Sequence, residues 1–253
     1  MVRILREHKI KDMSFHQKDL YNISEAAKFL NVSIDTLRRW DKSGKLVAAH
    51  KGGGTHRYYK KEDLDLFSSD LFALAKNWAM SGGNISSGFY CEYSITFQTR
   101  LLKMQEDLMA SKKYDKILSL IVAIIGEIGN NSYDHNLGNW PDISGIFFGY
   151  DLNKNTFVLA DRGLGIFKTL KQVRSSLTSH QEALQVAFTE IISGRAPENR
   201  GNGLKFVRKV VQKNNLDLFF QSGDAEAVIH DGQELSINKS ETNIQGCLVK
   251  IKI

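Results

Sequence analysis

The chain has 253 residues, 42% hydrophobic and 25% charged, with only 2 prolines and 2 cysteines. Such a balance belongs to folded globular proteins; it excludes a disordered or linker-rich chain, and the length accommodates one large or two modest domains. The net charge of +6 is uneven, with 14 Lys+Arg against 9 Asp+Glu in residues 1–67 and 20 against 19 in the remainder. Cys91 and Cys247 lack metal-ligand spacing and are too few for a disulfide framework, so both read as reduced thiols of a cytoplasmic protein and no zinc site is expected. The opening residues MVRILREHKIKDMSF carry charges every few positions, and no segment approaches about 18 uncharged apolar residues, which argues against a secretion signal and a membrane span.

From Ile23 the run ISEAAKFL places Ile23, Ala26, Ala27 and Leu30 at helical spacing, with Asn22 or Ser24 available as cap. NVS makes a short turn. A second helix begins near Ser33, puts Ile34, Leu37 and Trp40 on one face, and leaves Asp35, Thr36, Arg38 and Arg39 pointing outward. KSGKLVAAHKGGGTHRYY then reads as a β-hairpin around Gly52, Gly53 and Gly54, and KKEDLDLF as a third helix closing a small core through Leu64 and Phe67. Between Arg38 and Lys61 eight basic residues are opposed only by Asp41, a concentration that favours a polyanionic partner because phosphate contacts release condensed counterions.

ISEAAKFLNVSIDTLRRWDKSGKL followed by GGGTHRYYKKEDL resembles the winged helix-turn-helix of MerR-type regulators, excisionases and serine-recombinase N-terminal domains. The resemblance implies double-stranded DNA as partner, with Thr36, Arg38 and Arg39 in the major groove and Lys51, Thr55, His56, Arg57 and Tyr58 on the wing. Trp40 is expected in the core. MerR regulators dimerise through a long helix after the DNA-binding unit; no uninterrupted heptad pattern follows Phe67, so a homodimer would need another surface.

Residues 68–110 read as a helical connector, with LFALAKNWAM as one helix, SGGNISSG as a turn-rich break and CEYSITFQTRLLKMQEDLM as a second helix-like segment. From Tyr114 to His135, Ile117, Ile121, Ile124, Ile125 and Ile128 form a helical stripe, and at about 100° per residue Glu127, Asn131 and Asp134 share its edge. A carboxylate one turn before an amide suits water activation beside a hydrated cation: Glu127 as base, Asn131 as Mg²⁺ ligand. SGIFFGYD and TFVLAD read as two strands of a hairpin, the second ending at Asp161, with Gly163 and Gly165 allowing close backbone approach. The segment from Phe167 to Asn199 is expected to form a lid, containing the helix-like HQEALQVAFTEIISG. RGNGLKFVRKVV opens a helix at Gly201 and Gly203, whose free amides favour phosphate oxygens.

EIGNN, ADRGLGI and RGNGLKFVRKVV, in that order, resemble the N-box and the two glycine boxes of the GHKL superfamily of ATP-binding domains, with GCLVKIKI as its terminal strand. The resemblance implies, for residues 111–253, a two-layer α/β sandwich with a mixed sheet, Mg-ATP as ligand, Glu127 as catalytic base, and Asn131, Asp134, Asp161, Gly163, Gly165, Gly201, Gly203 and Leu204 as nucleotide-binding residues. Asp161 would accept a hydrogen bond from the adenine amino group, and Lys168 or Arg195 would meet the γ-phosphate. The fold class expected overall is α+β, a small winged helix-turn-helix domain followed by this sandwich. Three functions follow: an ATP-responsive DNA-binding regulator, a serine/threonine switch kinase of the anti-sigma type acting on a small protein partner, and an architectural factor of a mobile element.

Overall fold

In the computed structural model, residues 20–44, 46–50, 55–68, 70–83, 85–190 and 202–253 are described, and the chain divides into two compact units, Met1–Leu64 and Asp65–Ile253.

In the first unit a short strand, β1 (Leu20–Asn22), runs directly into α1 (Ile23–Phe29). Asn22 sets the junction: its Oδ1 accepts from the Glu25 amide at 3.0 Å while Glu25 Oε2 accepts from the Asn22 amide at 2.9 Å. This reciprocal cap is worth about 1 kcal/mol. Asn31 takes the left-handed turn that follows, at φ 52°. Ser33 then caps α2 (Ile34–Lys42), accepting from the Thr36 amide at 3.1 Å. The hairpin of β2 (Ala49–His50) and β3 (Arg57–Lys60) is antiparallel, with β1 on the other side of β3, and α3 (Lys61–Ser68) runs across the division at Leu64. Ala26, Leu37, Tyr59 and Leu64 are fully buried, the small Ala26 and Ala27 letting the helices close. Trp40 and Phe67 are half-buried, less enclosed than the core positions expected for them.

The second unit begins with α4 (Leu71–Ser81), β4 (Tyr90–Cys91), α5 (Ser94–Ser111) and α6 (Leu118–Asn136). It continues with β5 (Ile146–Asp151), β6 (Thr156–Asp161), α7 (Gly165–Lys171), α8 (His180–Thr189), α9 (Gly203–Lys213), β7 (Asp217–Ile229) and β8 (Ser236–Lys252). The five strands lie in the order β4-β5-β6-β8-β7, and every pair is antiparallel. The expected mixed sheet is corrected accordingly.

The connector is corrected too. Residues 68–110 belong to the second unit: β4 is the edge strand beside β5, and Leu71, Ala75, Trp78 and Ala79 of α4 are buried against Phe147, Val158 and Leu248. On the opposite face α5, α6, α8 and α9 cover Phe148, Phe157, Leu159, Phe220 and Val249. Helices therefore cover both sheet faces where two layers were expected. Alternation along β6 is the cause, since Phe157 and Leu159 face one cluster and Val158 and Ala160 the other, so neither face can be left in water. Each such large side chain contributes roughly 1.5–3 kcal/mol on burial. Gly129 permits the α5–α6 contact, since a Cβ there would lie 2.1 Å from Phe97 Cζ.

The part of the expected lid that is described is also different. Ala183, Leu184, Val186 and Phe188 of α8 are buried, and Leu184 and Phe188 belong to the main core, so α8 is a structural helix. Its apolar residues recur at helical spacing, and that stripe has to be covered. Residues 191–201, including Arg195 and Gly201, lie outside the described residues.

Candidate functional site

The N-terminal unit presents α2 with Arg38 and Arg39 exposed and Thr36 half-buried at its first turn. The exposed face is internally ordered. Ser33 Oγ and Thr36 Oγ1 are 2.9 Å apart, Arg39 Nη2 donates to Thr36 Oγ1 at 3.3 Å, and Arg38 Nη1 donates to Asp35 Oδ1 at 2.8 Å. Thr55 and His56 are exposed just before β3 and Tyr58 on β3 is half-buried; Lys51 and the expected turn glycines Gly52, Gly53 and Gly54 lie outside the described residues. Arg57 is placed differently. Its Nε donates to Asp41 Oδ2 at 2.6 Å, and Asp41 Oδ1 also accepts from the Ala48 amide at 2.9 Å. The Ala48 amide and the Arg57 guanidinium hold the Asp41 carboxyl below the usual carboxylate range. This arginine fastens the end of α2 to the hairpin. An open cleft of about 390 Å³ lies between the start of α1 and β3, lined by Asn22, Ser24, Lys28, His56 and Tyr58 among others.

Residues 22–59 match the MerR family regulatory proteins. The first unit carries a MerR-family helix-turn-helix. The type II methyltransferase M.Eco47II of Escherichia coli is 43% identical over 61 residues, which is 24% of this chain and 15% of that protein. The transcriptional repressor DcmR of Methylorubrum extorquens is 43% identical over 53 residues, 21% of this chain and 20% of that protein. The chain thus matches a fifth or less of the length of each of these relatives.

Beyond the MerR-family segment, α6 lines up the polar residues of the second unit. Ile121, Ile124, Ile125 and Ile128 enter the core, which holds Glu127 and Asn131 at its border. Asn131 Nδ2 donates to Glu127 Oε1 at 3.2 Å, a bond that does not use the Asn131 Oδ1 acceptor. Both side chains face the first turn of α9. A Cβ on Gly203 would lie 2.0 Å from Glu127 Oε1 and 3.0 Å from Asn131 Nδ2, so only glycine lets this pair approach the helix start. Asn202 provides no side-chain cap to α9, so the amides of that turn are not satisfied from that side chain.

Asp161 sits at the end of β6 with 3% exposure. Its Oδ2 accepts from Ser132 Oγ at 2.8 Å and its Oδ1 from the Gly163 amide at 2.9 Å, while Cys247 also bonds to it. Burial pushes its carboxyl above the usual range, against the lowering effect of these donors. A carboxylate offers about four lone-pair sites, and a ligand would use whichever these partners leave. Asn136 closes the turn: its Oδ1 accepts from the Leu164 amide at 2.8 Å, and a Cβ on Gly163 would fall 2.1 Å from its Nδ2. Gly165, at φ +74°, fits beneath Ser222, whose Oγ accepts from the Ile166 amide and donates to the Gly246 carbonyl.

Of the residues read as nucleotide-binding, Glu127, Asn131 and Gly203 form one group and Asp161 and Gly163 another, linked through the neighbouring Asn131 and Ser132 of α6. Asp134 is exposed near the end of α6, and Leu204 packs against the main core. Lys168 is exposed on α7. Sequence reasoning missed Ser132, Asn136, Ser222 and Gly246. Ser132 and Asn136 lie four apart on α6, starting one residue on from the Glu127 and Asn131 pair, but in a run of mostly polar residues that singles neither out; the last two depend on strand pairing that no local pattern announces.

A carboxylate, an amide oxygen and a glycine-opened helix start are thus brought together. Among the described residues no group of three or more His, Cys, Asp or Glu forms a metal cluster. No described helix is long and apolar enough to cross a membrane. Both cysteines are free; burial pushes the Cys91 thiol up to about 11 and raises that of Cys247 as well.

Proposed function

We propose that the protein is a DNA-binding regulator whose second unit binds Mg-ATP, occupancy of that site modulating DNA affinity. The DNA reading is carried by the MerR-family segment with α2 displaying Arg38 and Arg39 beside a short hairpin. In this reading the N-terminal part of α2 enters the major groove, where an arginine can bond two acceptors of guanine at once. Thr55, His56 and Tyr58 meet the adjacent phosphates, and Arg57 holds the hairpin against α2 through Asp41. The similarity to a transcriptional repressor supports a role in transcription.

The nucleotide reading is supported by the approach of Glu127 and Asn131 to Gly203. Magnesium-bound ATP supplies a γ-phosphoryl group that water can attack. Glu127, one helical turn from Asn131, would accept a proton from such a water, Asn131 Oδ1 would hold the cation, and the amides at the start of α9 would bind the phosphates. Asp161, at the end of β6, would provide the acceptor for the base.

The test is calorimetric titration of the full chain with Mg-ATP, wild type and Asp161→Asn, with and without a duplex from the protein's own promoter. Binding that is lost in Asp161→Asn and altered by the duplex supports the reading. No binding of Mg-ATP by the wild type sinks the nucleotide half and leaves DNA binding alone.

A further inference from the structure

Arg162, the residue after Asp161, is a cation with 8% side-chain exposure whose three guanidinium nitrogens all find partners. Its Nε and Nη2 form a fork on Asp142, with Nη2 2.5 Å and Nε 3.1 Å from Oδ2. Its Nη1 donates to the carbonyls of Trp78 at 3.2 Å and Ala79 at 2.5 Å, in the last turns of α4. No basic residue of α4 itself lies in that last turn, so Arg162 brings the favourable positive charge there from a distant part of the chain. The carboxyl of Asp142 is held low, chiefly by its bond to Arg162. Gln245 completes the cluster, its Nε2 donating to Asp142 Oδ1 and to the Arg162 carbonyl, each at 2.9 Å.

The position of this cluster gives it a role. The Asp161 Oδ1 to Gly163 amide bond closes a turn around Arg162, so the Asp161 carboxylate is tied to the backbone from which the guanidinium extends. Gln245 adjoins Gly246, on which a Cβ would lie 2.2 Å from the Asp161 carbonyl oxygen. At the other end, α4 is the next helix after α3, the element that runs out of the MerR-family unit.

We propose that Arg162 is a positioning residue that transmits the state of the Asp161 turn to α4, and through α3 to the DNA-binding unit; the final step rests on the nucleotide reading above. A planar guanidinium forks onto a carboxylate with two nitrogens while its third reaches two carbonyls, and the three donors of a single ammonium nitrogen, all leaving one point, cannot reproduce that fork.

Hydrogen exchange on the full chain tests the link. Ser132→Ala removes one donor from Asp161 and is expected to accelerate exchange in the last turn of α4 by about tenfold, as for loss of one charge-assisted hydrogen bond. In an Arg162→Lys or Asp142→Asn background the same substitution leaves α4 unchanged. Equal acceleration in all backgrounds, or none in the wild type, overturns the link. The second arm adds Mg-ATP: wild type shows a nucleotide-dependent change in DNA affinity by anisotropy, and Arg162→Lys binds both ligands without it. If wild type binds no Mg-ATP, the nucleotide reading fails while the exchange comparison still decides the link. Asp142→Asn keeps the test decisive should Arg162→Lys fail to fold.

Discussion

Arg57→Ala and Arg39→Ala each remove one positive charge from the MerR-family unit, and the structure separates their consequences. Arg57 is 33% exposed and its partner Asp41 12%, with 2.6 Å between Nε and Oδ2. Removing it leaves Asp41 with the Ala48 amide and no cation at that distance. Exposed pairs contribute about 0.2–1 kcal/mol and breaking a buried pair costs about 3–5, so this partly buried one should cost about 1–2 kcal/mol. For a unit of this size that lowers its melting transition by about 4–8 °C per kcal/mol. Because the folded state lowers the Asp41 pKa, the contribution is complete above the ordinary value of 3.8 and drains as pH falls below it, so the deficit of Arg57→Ala narrows there.

Arg39 is exposed and donates within its own helix to Thr36 at 3.3 Å, so its truncation should change stability by less than about 0.5 kcal/mol. Its effect belongs to DNA. A lost bidentate base contact costs about 1–3 kcal/mol, or about 5- to 150-fold in affinity, and relaxes selectivity. A lost phosphate contact weakens every sequence alike and flattens the salt slope by about 0.9. Thermal unfolding and anisotropy at several salt concentrations distinguish these. The assignment of Arg57 is refuted if Arg57→Ala melts like the wild type yet loses selectivity as Arg39→Ala does.

Gly203→Ala and Gly246→Ala should diverge. At Gly203 an added methyl meets the ends of the Glu127 and Asn131 side chains, which can swing away, so stability changes by less than about 1 kcal/mol while calorimetry shows weakened Mg-ATP binding. At Gly246 it meets the Asp161 backbone at φ +76° and should cost at least about 2–3 kcal/mol, read by denaturant unfolding. Asp161→Asn should lose nucleotide binding but gain stability relative to wild type as pH rises. Burial raises the folded pKa of Asp161, so its stabilising contribution is complete below 3.8 and is lost at higher pH, as thermal melts across a pH series will show. Glu127→Gln should keep Mg-ATP binding within a few-fold while any phosphate release falls by about 10²–10⁴, measured by a phosphate assay.

Where side-chain periodicity or a cap decides the outcome, the elements were legible. Ser33 capping α2, the isoleucine face of α6 and the β5–β6 hairpin all follow from local pattern. So does the neighbourhood of Glu127 and Asn131, because residues four apart on a helix must meet. β1 escaped notice because a three-residue strand carries no period and exists only through pairing with β3. Residues 68–110 read as a connector because their apolar residues do not reveal which surface they cover; only the two-sided burial of β6 recruits α4 beneath the sheet. Arg57 carried the same ambiguity, since a basic residue on a wing has the same local signature whether it faces phosphate or Asp41.

Placing α4 inside the second unit has an energetic consequence for regulation. Leu71, Ala75, Trp78 and Ala79 are buried to 3% exposure or less, so displacing α4 exposes apolar surface and breaks the bonds from Arg162. A signal reaching the MerR-family segment through this helix must then come from two packed arrangements of close energy, and the coupling must be reciprocal. If Mg-ATP changes DNA affinity by a given factor, DNA must change Mg-ATP affinity by that same factor. Anisotropy with and without nucleotide and calorimetry with and without duplex, under one set of salt conditions, should return one number. Two different factors would mean that the ligands do not share a single conformational equilibrium, and Arg162→Lys should bring both factors to about one, the value for uncoupled sites.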